Sequence, residues 1–106
     1  MGSYMEGEAM INHILAKVQE EVVRQLVLWG NEFDDKNTAN DWVSFCTHYL
    51  SEASYVGRKN EYTPEKFIEN MTKVAGLAVS AIAAVLRNGD CAPRHYEKQP
   101  NGGASE

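Results

Sequence analysis

The sequence predicts an all-α protein, a helical bundle of three main helices per chain that is completed by dimerisation. Apolar residues recur at three- and four-residue steps in three long segments, and alternating strand patterns are scarce. The stretch 74–86 carries no charged residue, and Ser80 is its only polar side chain. A helix that is apolar on nearly every side is normally buried on more than one face. We therefore expect this stretch to lie at the centre of the bundle, shared between two copies of the chain.

The length and composition limit the classes of protein to which this chain could belong. Its 106 residues suit one domain, and we expect a helical domain over 1–89 followed by a flexible tail over 90–106. The net charge of −5 and the scattered basic residues argue against nucleic acid as a partner. The stretch 74–86 is shorter than the about 20 apolar residues that span a bilayer, and no signal peptide is visible. We expect a cytoplasmic protein with no membrane partner, in which Cys46 and Cys91 are reduced thiols.

The first helix is predicted from about Glu8 to Trp29. Gly30 is a natural stop after it, and a polar loop is expected over 31–37. The apolar residues of this segment share one face of a helix, which is typical of an amphipathic helix: Ile11, Ile14, Leu15, Val18, Val22, Leu26 and Trp29.

The second helix is predicted to begin near Thr38 and to end at Gly57. Thr38, followed three residues later by Asp41, resembles a capping box. His48 and Glu52 lie on a polar stripe beside the face that we expect to be buried. That face consists of Trp42, Phe45, Cys46, Tyr49, Leu50, Ala53 and Val56.

The third helix is predicted to open at Thr63-Pro64 and to close at Asn88-Gly89. Its main apolar face consists of Phe67, Ile68, Met71, Val74, Ala75, Ala78, Ile82 and Val85. A second face of small residues should let another helix approach closely: Thr72, Gly76, Ser80 and Ala83.

Three short motifs, one on each helix, contain the residues that could bind a ligand or take part in catalysis. They are Arg-Gln-x-x-x-Trp-Gly at 24–30, His-Tyr-x-x-Glu at 48–52 and Glu-Asn-x-x-Lys at 69–73, ahead of the Ala/Val-rich run. In this order the chain resembles the MazG-like all-α nucleoside triphosphate pyrophosphohydrolases, especially the short forms of phages and mobile elements. The resemblance extends over about residues 18–86.

The resemblance implies that acidic residues hold Mg²⁺, which binds the triphosphate and activates a water for attack between the α and β phosphates. Magnesium prefers hard oxygen ligands in octahedral geometry. The family motif has carboxylates where this chain has His48, Tyr49, Asn70 and Lys73, and only Glu52 matches cleanly. Imidazole and phenol are poor magnesium ligands, and an ammonium group repels the cation. We therefore predict a degenerate metal site, with Mg²⁺ as a cofactor only if the protein is active.

The resemblance also supplies the candidate site residues. The catalytic candidates are Glu52 and Glu69, and the metal candidates are Glu52 and Glu21. The nucleotide-binding candidates are Arg24, Gln25, Trp29, His48 and Lys73. Most of them also have a purely structural interpretation: Trp29 suits a core, while His48–Glu52 and Glu69–Lys73 are ordinary i,i+4 pairs on a helix surface.

The leading hypothesis is a MazG-like protein with a degenerate metal site, which either binds a nucleotide or has lost ligand binding. A rival hypothesis is an active pyrophosphohydrolase with an atypical ligand set: Glu20, Glu21, Glu52 and Glu69. A third is a protein-interaction module that uses its dimer surface or acidic face. In each case we expect a homo-oligomer, either a dimer or a dimer of dimers.

Overall fold

The computed structural model describes residues 3–54 and 61–94, and in these ranges the chain forms three α-helices. They are α1 (Ser3–Asp35), α2 (Ala39–Ala53) and α3 (Pro64–Asn88). The all-α fold class is therefore confirmed, as are three main helices per chain. The predicted end of the second helix at Gly57 and the connection after it lie outside the described residues.

Helix α1 is longer than predicted at both ends. Gly30 has φ 82° and ψ 166°, so it breaks the helix as expected, but the helix resumes at once and continues to Asp35. The predicted polar loop over 31–37 is therefore wrong for its first five residues. Glycine adopts a positive φ at no steric cost, so a single residue absorbs the bend, and residues 31–35 contain no proline that would prevent a further turn.

The predicted caps are present at α2 and α3. The Asp41 amide donates to the Thr38 hydroxyl at 3.1 Å, and the Thr38 amide donates to the Asp41 carboxylate at 2.9 Å, which makes a complete capping box. Thr63 accepts from the Lys66 amide at 3.1 Å ahead of Pro64. The last helix ends at Gly89, which is left-handed with φ 87°.

Helix α3 is the centre of the arrangement. It packs against both α1 and α2, whereas α1 and α2 do not pack against each other in the described part of the chain. The small-residue face of α3 lies against α1: a Cβ added at Gly76 would be 2.9 Å from Cγ of Glu21. Ser80 and Ala84 are buried on the same side. Since α1 and α2 meet only through α3, a gap remains between them.

Burial within a single chain is incomplete. Among the residues whose burial the structure describes, the buried apolar side chains are those of Val18, Trp42, Ala53 and Ala84. Several residues expected on buried faces are instead exposed within one chain: Ile11, Ile14, Leu15, Leu26, Trp29, Leu50, Phe67, Ile68, Met71 and Ile82. In the described part of the chain α3 is the only helix that α1 contacts, so it covers one side of α1 and leaves the α1 residues of this list exposed.

The segment after α3 is not wholly detached. The Ala92 amide donates to the Asn37 carbonyl at 3.0 Å, and Ala92 forms an isolated parallel bridge with Thr38. Ala92 is therefore attached to the start of α2, and the flexible tail expected from Asp90 stays a prediction. The remainder of that expected tail, 95–106, lies outside the described residues.

By length and composition alone, α3 could cross a membrane. Its most apolar 18-residue window has a mean hydropathy of 1.3, and 17% of that window is buried. The apolar core helix of a soluble protein satisfies the same criterion, so this observation is weak support for a membrane span.

Candidate functional site

The gap between α1 and α2 forms a cavity of about 300 Å³, here called the α1–α2 cavity. Leu77 of α3 forms part of its wall. The other lining residues come from α1, the turn after it and α2: Arg24, Gln25, Trp29, Phe33, Asp34, Asn37, Trp42, Phe45, His48 and Tyr49. The bend at Gly30 sets the direction of the helical turn that carries Phe33 and Asp34.

Aromatic rings dominate the wall of this cavity and are arranged as three neighbouring pairs. The ring centroids of Trp29 and Phe33 are 5.1 Å apart with planes inclined by 31°. Trp42 meets Phe45 edge-on at 6.3 Å, and His48 meets Tyr49 edge-on at 4.9 Å. Flat ring faces bind other flat rings through stacked or edge-to-face contacts, so the cavity suits a planar aromatic ligand.

Two of the polar side chains that line the α1–α2 cavity are buried. Asn37 is 7% exposed and Trp42 is 5% exposed. Burial raises the pKa of the Asp34 carboxyl, an effect that the positive charge of Arg87 partly opposes. Polar side chains set among aromatic ones are typical of sites that bind small molecules.

Glu21, a metal candidate, is already occupied by hydrogen bonds. Its Oε1 accepts from Arg24 Nε at 3.0 Å, and its Oε2 accepts from Arg24 Nη2 at 2.6 Å and from Gln25 Nε2 at 2.8 Å. The hydrogen bond from Arg24 lowers the pKa of Glu21, although burial works against this effect. The carboxylate is therefore ionised at neutral pH, and both of its oxygens are paired with side chains of its own helix.

A second concave surface, here called the α2–α3 cleft, has a volume of about 220 Å³. Its lining residues are mostly polar: His48, Tyr49, Glu52, Lys66, Glu69, Asn70 and Lys73. The ammonium of Lys73 lies 3.5 Å from Glu69 Oε2 and 5.3 Å from the centroid of the Tyr49 ring. A lysine that contacts both a carboxylate and an aromatic face has two favourable partners, so its charge is stabilised inside this cleft.

A third, more open surface of about 900 Å³ lies between α1 and α3, and is here called the α1–α3 cleft. It combines acidic and basic side chains with an apolar rim: Met10, His13, Ile14, Lys17, Glu20, Glu21, Arg24, Ile68, Glu69, Thr72 and Lys73. Arg24 lines both this cleft and the α1–α2 cavity, and Lys73 lines both this cleft and the α2–α3 cleft. These two cations therefore connect the three surfaces.

The residues at the expected metal site do not fit Mg²⁺. Among the residues that the structure describes, no three His, Cys, Asp or Glu side chains are grouped so that they could hold a metal ion. Lys73 places a positive charge beside Glu69, and Arg24 occupies Glu21. The Asn70 amide donates back to the Lys66 carbonyl at 2.9 Å. A divalent cation would have to displace these groups and overcome the charge of Lys73.

The structure divides the sequence-predicted site residues between neighbouring surfaces. Four nucleotide-binding candidates line the α1–α2 cavity: Arg24, Gln25, Trp29 and His48. The fifth, Lys73, lines the α2–α3 cleft together with both catalytic candidates, Glu52 and Glu69. His48 belongs to both surfaces, which makes them adjacent.

Sequence reasoning missed three polar residues of the α1–α2 cavity. Trp42 was predicted as an ordinary buried residue, and Asp34 and Asn37 were assigned to a polar loop. Periodicity identifies Trp42 as buried, but it carries no signal for an indole nitrogen without a partner. The one available signal was Gly30, because a glycine bend followed by an uninterrupted turn brings residues 33–37 back toward α2.

Both cysteines are free thiols in the described structure. Burial raises the pKa of the Cys46 thiol, which keeps it protonated and weakens it as a nucleophile. No covalent chemistry is indicated at Cys46.

Comparison with known proteins returned no matching family model, no similar curated protein and no similar solved structure. The resemblance to the MazG-like family therefore stays a prediction from the sequence.

Proposed function

We propose that this chain is a MazG-like helical protein that binds a nucleotide without hydrolysing it by a metal-dependent route. The observation that carries the proposal is the placement of Arg24 and Lys73. Both border the acidic residues expected to hold magnesium, and Arg24 also borders an aromatic cavity. Cationic side chains therefore lie beside the carboxylates where the family would bind a metal ion.

The charges support phosphate binding. Arg24 is half-exposed, and its guanidinium retains donors beyond the two that contact Glu21. Lys73 is a compact positive charge held near Glu69. Arginine and lysine are the usual phosphate-binding side chains. A ligand with an aromatic ring in the α1–α2 cavity and its phosphates beside Arg24 would contact both that cavity and the α1–α3 cleft.

The same charges disfavour hydrolysis. Metal-dependent attack on a phosphate needs a cation that polarises the phosphate and activates water. The negative charge of Glu21 is paired with the positive charge of Arg24, and the ammonium of Lys73 lies next to Glu69. The chain therefore offers the triphosphate direct contacts with two cationic side chains, in place of contacts through magnesium.

Two measurements on the same samples test this proposal. Thermal shift with the common ribo- and deoxynucleoside triphosphates should show stabilisation that does not require magnesium or manganese. Pyrophosphate release under the same conditions should stay at background. Turnover that Glu52→Gln abolishes and Glu65→Gln preserves would establish the active enzyme instead, because Glu65 lies in the first turn of α3, away from the α2–α3 cleft lining.

We also propose that two copies pair through the apolar faces of α1 and α3. The exposed face of α3 runs from Ile68 through Met71 and Ile82 to Leu86, which is 80% exposed. Exposed apolar patches of this extent mark interaction surfaces, and two-fold pairing is the commonest way to cover one. α1 adds Ile11 and further apolar side chains.

Light scattering at micromolar concentration tests the pairing. The wild-type chain should have the mass of a dimer or a larger even-numbered assembly, and Ile82→Glu should lower that mass toward one chain. Val43→Glu is the matched control, because Val43 is 63% exposed but lies on α2. A wild-type monomer would contradict the pairing, and co-purification of another protein with such a monomer would favour the interaction module.

A further inference from the structure

One part of the wall of the α1–α2 cavity is a short segment, residues 31–37, here called the cavity turn. Three of its side chains line that cavity: Phe33, Asp34 and Asn37. The cavity turn begins directly after Gly30, whose φ of 82° and ψ of 166° interrupt the helix, and it ends at Thr38, which caps α2. In hinge motions a few residues at the ends of elements absorb the change in backbone angles. The position of the cavity turn therefore depends on the contacts that it makes away from its two ends.

The end of α3 supplies such contacts. Oδ1 of Asp35 accepts from Arg87 Nη2 at 2.7 Å and from Asn88 Nδ2 at 2.8 Å. The Asn37 carbonyl accepts from the Ala92 amide at 3.0 Å. The three donor residues, 87, 88 and 92, are here called the C-terminal clamp. Since α1 and α2 do not pack against each other in the described part of the chain, the clamp ties the cavity turn to the one helix that contacts both.

The C-terminal clamp is itself attached to buried structure. Asn88 Nδ2 also donates to the carbonyl of Ala84, a residue that is 2% exposed, at 3.0 Å. Gly89 is left-handed with φ 87° and ends α3, and the chain beyond it forms a parallel bridge between Ala92 and Thr38. The clamp therefore connects the core side of α3 with the cavity turn.

The contacts of the clamp with the cavity turn are accessible to water. The side chains of Asp35 and Arg87 are 37% and 35% exposed. The hydrogen bond from Arg87 lowers the pKa of Asp35, so this carboxylate is charged at neutral pH. Partly exposed ion pairs contribute modestly to stability, and regions held by exposed contacts open locally at a lower cost than global unfolding. The clamp can therefore release the cavity turn while the rest of the chain stays folded.

We propose that the cavity turn is a gate on the α1–α2 cavity, which pivots about Gly30 and is held closed by the C-terminal clamp. In the closed position Phe33 contacts the Trp29 ring across the bend, with centroids 5.1 Å apart, so the aromatic wall is continuous. A ligand that contacts this wall favours the closed position, and the clamp raises the affinity for that ligand by the same factor, because coupling is reciprocal. The gate does not depend on the proposed function, whereas its effect on a nucleotide rests on that function.

Hydrogen–deuterium exchange of the full chain without ligand tests the gate. Arg87→Met removes the ion pair with Asp35, and Ala92→Pro removes the amide that donates to Asn37. We expect the amides of residues 31–37 to exchange at least about fivefold faster in both variants, which is the factor that the loss of one ordinary hydrogen bond produces. Residues 18–25 of α1, which pack near α3 before the bend, should exchange as in the wild type.

Each variant has a matched control. Lys36→Met removes the same charge from an exposed residue of the cavity turn itself and leaves the clamp intact. Ala92→Ser keeps the backbone amide that Ala92→Pro removes. Both controls should exchange like the wild type. Ala92→Pro carries no change in charge, so it also separates the loss of the clamp from a direct effect of Arg87 on an anionic ligand.

Calorimetry with ATP, GTP, CTP and UTP measures the coupling to binding. Whichever of these nucleotides the wild type binds should lose about tenfold in affinity in Arg87→Met and in Ala92→Pro, and should keep its affinity in the two controls. Faster exchange over 31–37 together with this loss supports the gate.

The contrary outcomes are distinct. Unchanged exchange over 31–37 in both variants overturns the gate, and so does exchange that accelerates equally along the whole chain, because the clamp would then only stabilise the fold. Faster local exchange with unchanged nucleotide affinity overturns the coupling. If the wild type binds none of the four nucleotides, the proposed function fails, and the exchange measurement still decides whether the gate exists.

Discussion

The replacement Gly76→Ala tests the close packing of α3 on α1. A Cβ at this position would lie 2.9 Å from Glu21 Cγ and 3.3 Å from Gln25 Nε2. The closest atom, Cγ, is near the backbone end of the Glu21 side chain, and the carboxylate of that side chain is hydrogen-bonded to Arg24. The new methyl group therefore cannot be accommodated by moving only a flexible end.

The expected magnitude follows from two opposing terms. Alanine favours a helix over glycine by about 1 kcal/mol, and overpacking of a close contact costs about 1–3 kcal/mol. We expect a net loss of about 1 kcal/mol in the free energy of unfolding, which corresponds to a melting temperature lower by about 4–8 °C for a domain of this size.

Urea and thermal denaturation at one fixed protein concentration measure this loss, because pairing of chains would make the apparent stability depend on concentration. Gly7→Ala is the matched control: Gly7 is also helical, and nothing lies within 4 Å of its added Cβ. We expect Gly7→Ala to be neutral or stabilising. If Gly76→Ala stabilises the chain as much as Gly7→Ala does, the packing described for α3 is wrong.

Three further predictions concern the bend at Gly30, the partly buried carboxylate of Glu21 and the contact of Lys73 with phosphate. Gly30→Ala should lower the free energy of unfolding by about 1–2 kcal/mol, because its φ of 82° strains any residue with a Cβ; an unchanged urea midpoint would argue against the bend. Glu21→Gln should lower stability by about 0.5–1 kcal/mol at pH 7, since Arg24 is half-exposed and screened by water. The folded-state pKa of Glu21 lies below its ordinary 4.5, so its contribution is present above that pH and is lost as the pH falls through the folded value. Wild type and Glu21→Gln should therefore converge in acid, and parallel pH profiles of urea unfolding would refute this. Lys73→Met should weaken the binding of a nucleoside triphosphate about tenfold and that of the matching nucleoside little in calorimetry, whereas equal losses would show that Lys73 does not contact phosphate.

The ends of the helices were predictable where one or two neighbouring residues decide them. The capping box at Thr38, the Thr63-Pro64 start and the Gly89 end all follow from residue types that satisfy free backbone groups at helix ends. Gly30 was predicted to end the helix, and it does interrupt it. The further helical turn to Asp35 was not predicted, because a polar composition is compatible with both a loop and a helical turn.

The candidate site was predictable only in part, because the α1–α2 cavity exists only where α1 and α2 do not pack against each other. The sequence shows Trp42 on an apolar face, but it does not show that Trp42 and Asn37 line one cavity between α1 and α2. The contact of Lys73 with Glu69 was visible as an i,i+4 spacing. Its approach to the Tyr49 ring was not visible, because it joins two helices.

The most direct test of the account is a crystal structure of the chain with magnesium and a nonhydrolysable nucleoside triphosphate analogue. We predict the base ring in the α1–α2 cavity against Trp29 and Phe33, with the phosphates beside Arg24. We predict no magnesium ion bound by Glu52 and Glu69. An ordered magnesium ion held by those two carboxylates and the triphosphate, with the base outside the cavity, would contradict both the loss of the metal site and the proposed mode of binding.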